Sequence, residues 1–173
     1  IDTQEGREKR IHVPGYMYPY HITAGNMNLA WVEFQNDPRW DNRNYSIVKV
    51  LDMRTNITKQ LSWKSRYMSA AISPDGKSVA VTENTPENRN SLVILNSSTG
   101  KVVRSVPSPD NAYLQRPQWS AGGTEITFIT LTGAGEGIRS FRLSDQQWRV
   151  LIPEGPVDFQ SAFLRNDSLF YVS

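Results

Sequence analysis

Apolar residues along this chain fall into short runs, several alternating with polar positions, and each run is bounded by Gly, Asn, Asp or Ser. Runs of this length, rich in β-branched and aromatic side chains and separated by turn formers, predict strands. Residues 29–34, 78–83, 125–130 and 168–173 form one recurring strand type, and 45–52, 91–96 and 137–143 a second. A third covers 57–61, 102–106 and 148–152. Each strand of the first type follows another across a turn whose residues tolerate positive φ: Gly25-Asn26, Asp75-Gly76, Gly122-Gly123 and Asn166-Asp167. No stretch predicts a helix of useful length, so the pattern is all-β.

The strands repeat as a unit. Residues 72–81 align without gaps to 22–31 at an offset of 50 and to 119–128 at an offset of 47, and a shorter copy at 163–171 places Leu169 43 residues after Ile126. Four strands, A to D, recurring at roughly 40–50 residues is the period of β-propeller blades. A β-sandwich also carries short strands at regular spacing, but it would not repeat one turn chemistry and one strand sequence at this interval. The expectation is three complete four-stranded blades plus partial blades at each end: 20–65, 66–112 and 113–157 as blades, 1–19 as the outer strand of a preceding blade with its linker, and 158–173 as the first strands of a next one.

Composition narrows the chemistry. Nineteen Lys and Arg stand against 17 Asp and Glu, giving a net charge of only +2 without a basic run, so nucleic acid is not an expected partner. The absence of cysteine excludes disulfides, thiolate metal sites and a cysteine nucleophile. No apolar stretch is long enough to span a membrane as a helix. His12 and His21 are the only histidines, and neither has a carboxylate at metal-ligand spacing, so neither a metal nor another cofactor is expected. The glycine-rich segment 133–137 joins two predicted strands and opens no helix, which makes it a flexible B-to-C loop in place of a phosphate cradle. No catalytic constellation is present, and the chain leans away from being an enzyme.

Residues 72–100, ISPDGKSVAVTENTPENRNSLVILNSSTG, resemble one repeat of the TolB-type, WD-repeat-like β-propeller family of bacteria, with Ser73-Pro74-Asp75-Gly76 between strands A and B and Thr99-Gly100 between C and D. The third unit keeps Pro117, Trp119 and Ser120 but has Ala121-Gly122-Gly123 in place of Pro-Asp-Gly, and the first keeps only Gly25 and the flanking apolar pattern. The resemblance implies a periplasmic or secreted bacterial protein. By the same comparison, 7–13 resembles the outermost strand of a preceding blade and the chain stops near a B strand, the expectation for a fragment of a larger propeller. A small closed four-bladed ring is the alternative. Exposed blade edges in a truncated arc would favour association.

In propeller order, the B-to-C and D-to-A connections share one face of the disk, and loops on a rigid scaffold are where binding residues concentrate. The longest expected loop is 35–44, carrying Arg39, Trp40 and Arg43. Beside it fall the D-to-A links with Arg66, Tyr67, Tyr113 and Arg116. Trp, Tyr and Arg are the usual anchors of binding surfaces, and an arginine at the channel mouth suits a carboxylate; inter-blade packing and ion pairing are the competing roles for these side chains. The expected function is a noncatalytic propeller module that binds a protein or peptide within a larger envelope or secreted protein. The alternative is an accessory or gating propeller of a peptidase whose catalytic domain lies outside this chain.

Overall fold

The computed structural model describes residues 10–17 and 21–173, without the side chains of 40–43. Strands β1 (Thr23–Gly25), β2 (Asn28–Asp37), β3 (Trp40–Asp52) and β4 (Ile57–Gln60) form one antiparallel sheet in sequence order. The second sheet contains β5 (Tyr67–Ile72), β6 (Ser78–Asn84), β7 (Asn90–Asn96) and β8 (Val102–Pro107), and the third β9 (Tyr113–Trp119), β10 (Glu125–Thr132), β11 (Gly135–Arg142) and β12 (Gln147–Gly155). A final pair, β13 (Ser161–Arg165) and β14 (Ser168–Val172), begins a fourth. The first strands β1, β5, β9 and β13 neighbour one another in turn, and each second strand packs on the next first strand. This is a β-propeller arrangement of three four-stranded blades and a two-stranded partial one.

The A-to-B turn shows why its residues recur. Asp75 Oδ1 accepts from Ser73 Oγ at 2.6 Å and from Lys77 N at 3.0 Å, and Gly76 N donates to the Ser73 carbonyl at 2.9 Å. These bonds, that from Ser73 foremost, hold the Asp75 carboxyl below the usual carboxylate range. Gly76 takes φ +75°, open to glycine without steric cost. Ser73 Oγ also accepts from Ser78 N at 3.0 Å, and in the third blade Ser120 Oγ accepts from Glu125 N in the same way, while Gly123 supplies the positive φ.

Each blade is apolar on both faces because strand periodicity sends alternate residues to opposite sides. Ala30, Val32, Val48 and Val50 meet Ala70, Ile72, Val79, Val81, Val93 and Leu95 between the first and second blades. Ala80, Leu92 and Ile94 meet Leu114, Ile126, Phe128 and Phe141 between the second and third. Full burial of each such Val, Leu, Ile or Phe side chain contributes about 1.5–3 kcal/mol. The free flank of the first blade, with Leu29, Trp31 and Leu51, is covered by Met17, while the His12 ring lies 5.0 Å from that of Trp31. Of the outer strand expected at 7–13, residues 7–9 lie outside the described residues and 10–13 are not in a strand.

Two expected loops are ladder instead. β2 and β3 pair out to Asp37 and Trp40, leaving only Pro38 and Arg39 as the turn, where Asp37 Oδ1 accepts from Arg39 N at 2.8 Å. Likewise β10 and β11 pair out to Thr132 and Gly135, so 133–137 is not a flexible loop. The polar composition of 35–44 hides the strands because this arm rises beyond the core, where its side chains need not be apolar and backbone pairing alone maintains it.

Side chains also tie the inner strands together. Thr23 Oγ1 accepts from Ile72 N at 2.9 Å, occupying a donor that edge strand β5 would otherwise leave open, and Trp119 Nε1 donates to the Ala71 carbonyl at 2.9 Å. Gly25 packs so tightly on the next turn that a Cβ would lie 2.2 Å from the Ser73 carbonyl oxygen. Thr23→Val keeps the shape but strands the buried Ile72 N–H, an expected loss of about 1–3 kcal/mol in urea denaturation. Thr23→Ser, which keeps the acceptor, should recover most of it.

Candidate binding site

In an antiparallel blade the A-to-B and C-to-D turns share one end, and the B-to-C and D-to-A connections share the other. At that second end the first two blades enclose a cleft of ≈ 340 Å³ lined by Tyr16, Phe34, Asn36, Asn44, Tyr45, Ser46, Ser65, Arg66, Met68 and Asn84. Its cause is a difference in strand length. Along β2, Ala30 and Val32 face the second blade, and the same face continues to Phe34 and Asn36, opposite Ser46 and Asn44 of β3. β5 begins only at Tyr67, so above that level the long hairpin has no sheet to pack on.

The link from β4 to β5 is pinned to β3 by three hydroxyls. Ser65 Oγ donates to the Ser46 carbonyl at 2.8 Å, Ser46 Oγ accepts from Tyr67 N at 2.8 Å, and Ser62 Oγ accepts from Val48 N at 2.9 Å. With the Ser65 proton committed, Ser46 and Ser62 each direct their own hydroxyl hydrogen to Ser65 Oγ, at 3.0 and 2.9 Å. This network positions backbone, and among the described residues no carboxylate or imidazole is bonded to it.

Arg66 follows directly. Its Nε donates to the Asn84 carbonyl at 3.3 Å, and its own carbonyl accepts from Asn84 N at 3.1 Å. Among the described residues it forms no carboxylate pair. The gap between the second and third blades is different. There the buried Arg139 donates through Nε to Glu154 at 2.7 Å and through Nη1 to Asp110 at 3.2 Å, and Thr130 Oγ1 donates to the same Glu154 oxygen at 2.8 Å. Burial opposes charge on both partners, but their mutual hydrogen bonds prevail, raising the Arg139 pKa and lowering that of Glu154.

Of the residues singled out from the sequence whose side chains are described, Arg66 alone lines the cleft. Arg39 is exposed in the hairpin turn, and Trp40 and Arg43 start β3 with side chains that lie outside the described residues. Tyr67 packs against the core between the first two blades, and burial raises its pKa with a smaller push from Glu83. Tyr113 is half-buried opposite Leu131, its pKa also raised by burial. Arg116 donates to the Gln160 carbonyl, tying the third blade to the approach to β13. Asn36, Asn44, Tyr45 and Asn84 were not anticipated; the available signal was the polar pairing of Asn36 with Asn44 inside a run read as a loop.

No family model and no curated protein sequence matches this chain. Solved structures do. The fold is similar to TolB from Acinetobacter baumannii, at 16% identity over 88% of this chain and 37% of that one, TM-score 0.64. It is similar to the β-propeller domain of the Trilobed protease from Pyrococcus furiosus, which has an open velcro topology, at 13% identity over 89% and 47%, TM-score 0.62. It also resembles the acylaminoacyl peptidase of Pyrococcus horikoshii, at 13% identity over 86% and 26%, TM-score 0.61. The chain thus has the fold of TolB-type and peptidase propeller domains and spans less than half the length of each of these structures. Among the described residues, no helix is long and apolar enough to cross a membrane.

The cleft wall rests on a buried acid. Glu33 accepts from Trp31 Nε1 at 2.8 Å and Gly15 N at 3.0 Å and pairs with Lys49 Nζ at 2.7 Å. Burial alone would raise its pKa, yet the bonds from Lys49, Gly15 and Trp31 bring it below the ordinary value. A depressed folded pKa means the ionised group stabilises at neutral pH, and that contribution is lost as pH falls from the ordinary glutamate value, about 4.3, through the folded one. The stability gap between wild type and Glu33→Gln in urea is therefore expected to be open at pH 7 and to close in acid below that window. For the second gap, Glu154→Gln should cost about 3 kcal/mol by stranding Arg139, while adding Arg139→Met should return part of the loss in a double-mutant cycle.

Proposed function

We propose that this chain is a noncatalytic propeller module that binds a protein or peptide through its loop face, within a larger envelope or secreted protein. The observation that carries the proposal is the cleft beside a projecting hairpin, where a rigid scaffold holds an arginine, amides and aromatic rings at one end of the blades. Arg39, Trp40 and Arg43 on the hairpin are assigned to the rim of the contact and Arg66 to its centre. Tyr67, Tyr113 and Arg116 support the surface from the packing beneath it. The envelope location and the bacterial source are supported by the likeness to TolB structures.

A second role, an accessory or gating propeller of a peptidase, is favoured by the similarity to peptidase propellers. The full-length reading frame decides between the two: a Gly-x-Ser-x-Gly or His-Glu-x-x-His motif beyond this chain supports the peptidase role, and its absence removes it.

The loop-face assignment is tested by charge reversal at opposite ends of the blades. A partner captured from an envelope extract and then measured as a purified pair should bind at least about tenfold more weakly to Arg39→Glu with Arg66→Glu, a change of roughly 1.4 kcal/mol or more. Arg54→Glu with Lys101→Glu, on the turn face, should bind as wild type. The opposite pattern overturns the assignment.

A further inference from the structure

The geometry of Arg66 points to the chemistry of the ligand, and the inference rests on the loop-face proposal above. We propose that the cleft between the first two blades binds the carboxylate of a peptide, with Arg66 taking both oxygens. The donors are available and aimed by constraint. Bonds at both its carbonyl and its Nε fix Arg66 to the end of β6. With Nε committed, the remaining bidentate edge of the guanidinium is its Nη1 and Nη2 pair, the fork that matches the two oxygens of a carboxylate. Neither atom has an acceptor among the described residues.

The surrounding charges leave that edge unquenched. Glu87 is fully exposed, and its carboxyl is held below the ordinary value first by its own backbone N–H and Thr85, then by the charge of Arg89 and last by that of Arg66. Glu83 lies on the same β6 strand and accepts from Ser91 Oγ at 3.1 Å. Arg139 in the neighbouring gap shows what a structural arginine looks like in this fold: buried, with Glu154 and Asp110 bonded to it. Arg66 occupies a comparable place between blades with its carboxylate missing from the described residues.

The walls favour a peptide as the bearer of that carboxylate. Asn36 and Asn44 face each other across β2 and β3 at the cleft, and neither side chain makes a hydrogen bond among the described residues. Side-chain amides offer the same donor and acceptor as a peptide group, so they match backbone leading away from the carboxylate. Phe34, Tyr45 and Met68 supply apolar wall for side chains, and ≈ 340 Å³ sits at the small end of the ~300–1,000 Å³ usual for ligand sites. A phosphate would call for more cationic or backbone N–H donors than one arginine provides.

The experiment is an NMR titration of the whole chain with three probes: acetylated hexa-alanine as the free acid, the same peptide as its C-terminal amide, and that amide with one central aspartate. The free acid or the aspartate peptide should shift cleft resonances, identifying a terminal or a side-chain source, and the plain amide should bind at least about tenfold more weakly, the effect of losing a charge-assisted pair. Arg66→Gln should abolish the difference between acid and amide while melting as wild type, and Arg66→Lys, which keeps charge without the fork, should restore only part of it. Equal binding of acid and amide, unchanged acid binding by Arg66→Gln, no response to either carboxylate, or tighter binding of inorganic phosphate overturns the proposal. If the captured partner stays sensitive to Arg39→Glu but ignores Arg66→Gln, only the carboxylate assignment fails. Indifference to every loop-face substitution fails the broader function.

Discussion

Burial between sheets is the constraint from which the rest of this structure follows. A four-stranded sheet with apolar side chains on both faces cannot satisfy them alone, so each blade depends on its neighbours. Valines and alanines dominate the first interface, whereas the second adds Phe128, Phe141 and Trp148, whose rings meet at tilted angles. The two inner strands of each blade sit where space is shortest, which explains the small residues at Ala70 and Ala71 on β5, at Ala30 and Ala80 on the adjoining β2 and β6, and the close approach of Gly25 to the next turn. The hydrogen bonds that Thr23 accepts and Trp119 donates then fix the stagger of one blade on the next, a geometry that dispersion and hydrophobic contact leave loosely defined.

The same dependence explains the two flanks. On the first blade, Trp31 and Leu51 point away from the second blade and are covered by the segment around Met17, whose backbone also bonds Glu33 and Phe34. On the partial blade, Phe163 and Phe170 stack at 5.3 Å and remain 43% and 48% exposed. One flank is covered by extended chain and the other is open, and both are the side that, between complete blades, would be interface.

The fold was legible because it is written in repetition. The turn at Ser73-Pro74-Asp75-Gly76 needs a hydroxyl, a carboxylate and a positive φ in fixed order, and such local chemistry survives in sequence even where Ala121-Gly122-Gly123 replaces part of it. The cleft was only partly legible. Arg66 could be found because it precedes a recognisable strand, but Asn36 and Asn44 belong to a ladder whose polar side chains carry no strand signature. Tyr67 and Tyr113 drew attention as aromatics near loops, yet burial decides the role of an aromatic, and burial here depends on how far the adjacent blade extends. Sequence spacing holds no direct record of that length mismatch.

The contrast between the two inter-blade gaps follows from desolvation. Taking a guanidinium from water is tolerable when carboxylates come with it, and Arg139 arrives with Glu154 on the adjacent strand and Asp110 from the preceding link, so that gap closes. Among the described residues Arg66 has only a carbonyl to lean on, and a half-exposed position leaves its other donors open to solvent. Closing the first gap around it without a counter-charge would strip solvent from the unpaired guanidinium donors, a cost that an open gap avoids. The cleft thus persists for an electrostatic reason as well as a steric one, and a ligand bringing its own negative charge supplies what the fold omits at that position.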